Sequence, residues 1–246
     1  VEKLCKLLKK EFGGAPKRDQ LPVLETMLYA ICLENSSHED AQVAFDRLTN
    51  DFFDWNEVRV STIAELEPVF SDLIDPARRA MRVRYILYYV FDHHYSYDFD
   101  GIKKKTLELA QKQLAKIKHL TPYARNYLLQ RCLGSHVIPA DDQIVTLAMW
   151  LGMLPLDSNP DNGADALKSL VRKSDGIEFA WLLKAVASSK HAAPILEDKD
   201  AINAEDACDI GTAEARLKDL FSGKIARSHS AKKAAETRKA AAAAEG

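Results

Sequence analysis

Apolar residues recur at helical spacing along most of the chain. Leu21, Leu24, Met27, Leu28 and Ile31 fall on one stripe of a 3.6-residue period. Stripes of this kind predict helices over about 1–11, 20–33, 37–49, 62–70, 76–92, 102–118, 123–133, 141–153, 163–173, 176–189 and 203–221. Strictly alternating runs, the mark of half-buried strands, are missing, so the predicted fold class is all-α. Start signals agree: Ser36 and Ser37 precede HEDAQ, Ser61 precedes TIAEL with Glu65 in the first turn, and Pro76 follows Asp75. Breaks are expected at 13–16 (GGAP), 96–101 (SYDFDG), 133–140 (LGSHVIPA) and 156–163 (LDSNPDNG).

Composition adds limits. The 246 residues, 47% apolar and 28% charged, suit a soluble globular protein with a real core. No apolar run approaches the roughly 20 residues of a membrane span, and the charged start VEKLCKLLKKEF does not read as a secretory signal. The net charge of −2 gives no global pull toward nucleic acid, but its distribution is uneven. Residues 223–246 carry Lys224, Arg227, Lys232, Lys233, Arg238 and Lys239 against Glu236 and Glu245, a basic tail on an acidic body. Because this tail has no large apolar residue beyond Ile225, it is expected to be disordered or a frayed helix. It serves either as a solubility device or as a non-specific nucleic-acid arm.

Metal chemistry finds no support in the spacing. Cys5, Cys32, Cys132 and Cys208 lie far apart without ligand motifs, which predicts reduced thiols, no zinc site and no iron-sulfur cluster. Asp157, Asn159 and Asp161 resemble a calcium loop, but Lys168 stands where the bidentate acid belongs, leaving a turn before a helix. Adjacent His93 and His94 point about 100° apart on a helix and read as a basic pair at its C-terminus.

Residues 119–154, HLTPYARNYLLQRCLGSHVIPADDQIVTLAMWLGML, read as a helix end, a tight turn, an amphipathic helix, a loop closed by Pro139 and a second helix opening at Asp141. This stretch resembles the helix-hairpin-helix DNA glycosylases of the endonuclease III-like group. Their pattern is leucine-proline-glycine-variable-glycine, a helix, then a valine-aspartate pair. The corresponding residues are Leu120-Thr121-Pro122-Tyr123-Ala124 through to Ala140-Asp141. Residues 29–48 (YAICLENSSHEDAQVAFDRL) look like the group's early helix pair and 52–70 like its next helices, so the resemblance spans about 20–190.

The resemblance implies two all-α lobes, 21–134 with the hairpin and 1–20 plus 135–222, with the tail 223–246 outside. Asp141 would lie in the cleft between them. It also implies that Leu120, Thr121, Tyr123, Ala124, Arg125, Asn126, Glu34 and Asn35 meet double-stranded DNA, with Arg125 on a phosphate. The departures matter. Pro122 and Ala124 replace the glycines whose backbone approaches phosphate, and Glu34 replaces an intercalating glutamine. Asn126 stands six residues after Leu120, where bifunctional members carry a Schiff-base lysine, and an amide cannot form an imine.

Taken alone, Asp141 is an N-cap; with the resemblance it is the catalytic carboxylate, stabilised by backbone N–H groups and the helix dipole. The expected function is a monofunctional DNA N-glycosylase of base excision repair that hydrolyses the glycosidic bond of a flipped base. Such an enzyme would be monomeric, cytoplasmic and nucleoid-associated, without membrane, metal or cofactor. The alternative is a catalytically silent helix-hairpin-helix module that binds DNA or protein.

Overall fold

In a computed structural model the described residues are 1–16, 21–197 and 209–244, with the side chains of 232, 233, 236 and 238–244 outside the description. The described residues contain no strand. The helices are α1 (Glu2–Phe12), α2 (Val23–Leu33), α3 (His38–Asn50), α4 (Trp55–Val60), α5 (Ile63–Leu66), α6 (Pro76–His94) and α7 (Leu107–Leu114). There follow α8 (Pro122–Leu133), α9 (Asp142–Trp150), α10 (Pro160–Lys168), α11 (Gly176–Ala187), α12 (Ala193–Glu197), α13 (Ala213–Phe221) and α14 (Lys224–Ala244).

Side-chain caps set many of the boundaries. Ser37 accepts the Asp40 N–H at the start of α3, Thr106 that of Leu109 at α7, and Thr121 that of Ala124 at α8. At α5 the cap is Thr62, not Ser61, and it forms a reciprocal capping box with Glu65. The expected helix over 102–118 divides into a 3₁₀ turn, Asp100–Lys104, and α7, because Thr106 restarts the chain as a cap. Asn159 caps α10 with Pro160 in its first turn, so the DNG of 161–163 lies inside the helix instead of in a preceding turn. The first part of the expected 203–221 helix, through Cys208, lies outside the described residues.

Of the two states expected of the tail, disorder and a helix, the structure has the helix, over Lys224–Ala244. Alanine, lysine and arginine are among the residues with the strongest intrinsic helix preference, and the start of the stretch also packs, through Ile225, on the core. No helix among the described residues is long and apolar enough to cross a membrane.

Every residue of α2 except Glu25 is buried, as expected of a helix apolar all round. It packs against α3, α6 and α8. Around the rest of the core, α1 packs on α11 and α13, and α9 on α11 and α12. Arg216 over the Trp150 ring, 5.1 Å to the centroid, ties α13 to α9. This arrangement brings the C-terminus of α2 and the N-termini of α8 and α9 toward the middle of α11.

Candidate active site

Asp141 is the N-cap of α9 and is 1% exposed. Its Oδ1 accepts the Ile144 N–H at 3.0 Å. Its Oδ2 accepts the Asn35 N–H at 2.7 Å and the Lys184 ammonium at 2.5 Å. Lys184, in the middle of α11, has no exposure, and its Nζ also lies 3.5 Å from Gln143 Oε1 and 5.7 Å from the centroid of the Tyr123 ring. Burial pushes the Lys184 ammonium below the usual lysine range, against the pull of the Asp141 carboxylate. A buried pair of this kind adds little net stability while intact, yet losing one partner strands a charge.

A second buried cation fixes the loop that reaches Asp141. Arg79, 4% exposed, donates to the carbonyls of Ile31, Cys32 and Glu34 at the end of α2, and its Nε to Ile74 O at 2.8 Å. These are carbonyls that a helix C-terminus leaves without partners. With the end of α2 held, Asn35 takes a left-handed backbone (φ 52°), tolerated best by Asn among side-chain-bearing residues, and aims its N–H at Asp141. The Asn35 side chain reaches Asp142 Oδ2 at 3.3 Å.

Glu34 does not project from the loop. It pairs with Arg82 at 2.8 Å, both side chains largely covered, and bonds Thr121 at the start of α8. Burial raises its carboxyl above the usual range, and Arg82 opposes the rise.

The turn ahead of α8 carries its positive φ upstream of the residues that resemble the hairpin. The left-handed residue is His119 (φ 65°), three positions ahead of Pro122, and Leu120 N bonds back to Ile117 O. Positive φ is where a glycine serves best, so a hairpin placed by the backbone would start at buried Ile117, with His119 where its first glycine would be. Six residues after Ile117 is Tyr123. It is 2% exposed, and its hydroxyl is pushed well above its ordinary range by burial, with the Asp141 charge adding to the rise.

Asn126 and Arg125 instead line an outer cleft of about 680 Å³ against α7 and α10. Ala124 is buried within α8, and Leu120 packs on the edge of the core. The structure therefore gathers Glu34, Asn35, Thr121, Tyr123 and Asp141, leaves Arg125 and Asn126 apart, and adds Arg79, Arg82 and Lys184. The sequence holds one signal for Lys184: a lone cation in GIEFAWLLKAVA, a helix otherwise apolar around its middle.

Next to Lys184 is a small cavity of about 30 Å³, walled by Leu33, Tyr123, Tyr127, His38 and Trp181. His38 stacks on Trp181 with centroids 5.4 Å apart and planes inclined 16°. Lys184 lines this cavity; Asp141 lies behind it. Among the described residues no group of three or more His, Cys, Asp or Glu side chains is placed to hold a metal ion.

No sequence-family model matches the chain, and no curated protein matches it. Solved structures do. A non-covalent endonuclease III–DNA complex aligns with TM-score 0.57 and 12% identity over 87% of this chain and 96% of that one. A trapped endonuclease III–DNA covalent intermediate gives 0.55 and 12% over 75% and 82%. The H. pylori 3-methyladenine DNA glycosylase MagIII, bound to 1,N6-ethenoadenine, gives 0.51 and 16% over 76% and 92%. The chain therefore has the all-helical fold of the endonuclease III-like helix-hairpin-helix DNA glycosylases.

Proposed function

We propose that the protein is a monofunctional DNA N-glycosylase of base excision repair, a monomer acting on double-stranded DNA, with Asp141 as its carboxylate. The observation that carries this reading is the place of Asp141: the N-cap of α9, facing the start of the hairpin helix and the loop after α2. A carboxylate there can stabilise the positive charge that develops at C1′ as the glycosidic bond breaks, and can then take a proton from the attacking water. In this reading residues 21–134 and 1–20 with 135–222 are two lobes flanking the cleft, and Asn35 and Thr121 lie on its DNA side. The solved relatives in complex with DNA and with a modified base support the assignment.

The site as folded is closed. A cavity of about 30 Å³ has room for a water and not for a base, so its walls have to part to admit one. That closure favours a second reading, the catalytically silent DNA- or protein-binding module, in which the Asp141–Lys184 pair is simply a buried ion pair. Release of free base from a duplex carrying one lesion separates the two readings.

Monofunctional chemistry is the expectation for either placement of the hairpin, since neither Tyr123 nor Asn126 carries an amine. Incubation with abasic duplex and borohydride should therefore leave no protein–DNA adduct on a denaturing gel. A strong adduct would contradict hydrolysis without a covalent intermediate.

The tail helix is assigned salt-sensitive affinity for DNA. Deleting residues 228–246 spares Ile225, which packs on the core, and removes Lys232, Lys233, Arg238 and Lys239. The slope of log affinity against log salt should flatten by about 0.9 for each phosphate that the tail neutralises. An unchanged slope would make the tail a solubility device.

A further inference from the structure

Asp141 and the aromatic cavity do not touch; Lys184 stands between them. Its Nζ is 2.5 Å from Asp141 Oδ2, and the same side chain forms part of the cavity wall with Tyr123, Tyr127 and Trp181. Two cationic side chains, Lys184 and Arg131, line the cavity, and of these only the ammonium has a proton to give to a base that enters, because a guanidinium keeps its own. Asp141 cannot supply that proton, because both its oxygens already accept hydrogen bonds.

We infer that Lys184 is the acid that protonates the departing base, and that the site thereby takes neutral bases presenting a ring nitrogen or carbonyl lone pair to the ammonium. This inference rests on the glycosylase reading of the site. The step balances as follows. The C1′–N bond breaks with its electron pair going to the base, and the base takes one proton from Lys184 Nζ, which becomes a neutral amine. Water adds through oxygen to the C1′ cation and gives up a proton to Asp141. That proton passes along the Asp141–Lys184 hydrogen bond and restores the ammonium, so the net reaction is addition of water across the glycosidic bond.

The surroundings make Lys184 a readier proton donor than a lysine in water. Desolvation and Arg79 of α6 make the proton easier to release. Asp141 at the head of α9 and Glu34 at the end of α2 hold it, and Tyr123 of α8 lies under the amine.

The test compares leaving groups. A neutral base such as uracil, hypoxanthine or 1,N6-ethenoadenine departs well only if protonated, whereas N7-methylguanine already carries a positive charge and departs without an acid. Single-turnover release by the wild type should fall for neutral bases as pH rises through the Lys184 titration, with no parallel fall for N7-methylguanine. Lys184→Arg keeps a cation beside Asp141 but holds its proton, and should slow neutral-base release at least tenfold more than N7-methylguanine release. The wild-type pH profiles decide the matter even where the arginine variant fails to fold.

Parallel profiles, equal losses in the variant, or release of N7-methylguanine alone would overturn the role of Lys184 while leaving a glycosylase. No release of any base by the wild type would overturn both readings.

Discussion

Asp141→Asn is expected to abolish most base release and, unlike an ordinary cap substitution, to destabilise the fold strongly. Asparagine would still accept the Ile144 and Asn35 N–H groups, so as a cap alone it would cost little. The ion pair changes the outcome: without the carboxylate, Lys184 is a fully buried cation with no counter-charge, a loss of about 3–5 kcal/mol. Combining Asp141→Asn with Lys184→Met should recover most of that stability, because the stranded charge is gone. Single-turnover release should fall by about 10²–10⁴-fold in Asp141→Asn, while affinity for duplex survives. Paired thermal melts and release assays under conditions where each variant is folded check both parts. A melt shifted by less than the equivalent of about 1 kcal/mol would mean that the pair is not buried as described.

The second large effect belongs to Arg79, which touches no substrate in the proposed mechanism. Arg79→Met keeps much of the apolar stem and removes the donors that serve the carbonyls of Ile31, Cys32, Glu34 and Ile74. Buried acceptors without donors cost about 1–3 kcal/mol each, so a loss of at least about 3 kcal/mol is expected. Arg79→Lys should rescue little, since one ammonium cannot replace a planar fork spread over four carbonyls. The loop through Asn35 would lose its anchor, and base release should drop further than the unfolded fraction explains. Urea denaturation with release measured in parallel tests this. Full activity in folded Arg79→Met would show that the Asn35 N–H is dispensable to Asp141.

What is legible in the sequence follows from how local each cause is. The 3.6-residue stripes of α2, α6 and α11 need only neighbouring residues to be read. The short α4 escapes such a reading because it buries only Val58, although Asp54 and Glu57 flank it as a cap and a return acceptor. Asp141 is legible as a cap and, through the resemblance, as a carboxylate with a task. Its burial is not, because the covering groups come from α2, α6 and α11, up to 106 residues away. The turn ahead of α8 is hidden for another reason: His119 carries the positive φ without a glycine to announce it. Glu34 reads in sequence as a charge presented to DNA, whereas Arg82, in a run of arginines whose destinations no spacing reveals, holds it inside.

The proposed role of Asp141 is glycosidic hydrolysis within a site that opens on a flipped base. The most direct measurement is single-turnover incubation of the wild-type protein and Asp141→Asn with a panel of duplexes, each carrying one damaged or mismatched base, followed by alkali to cut at abasic sites. The account predicts strand cleavage of at least one duplex by the wild type and loss of that cleavage in Asp141→Asn. Intact strands across the panel, with tight binding of the same duplexes by the wild type, would contradict it and leave a silent DNA-binding module.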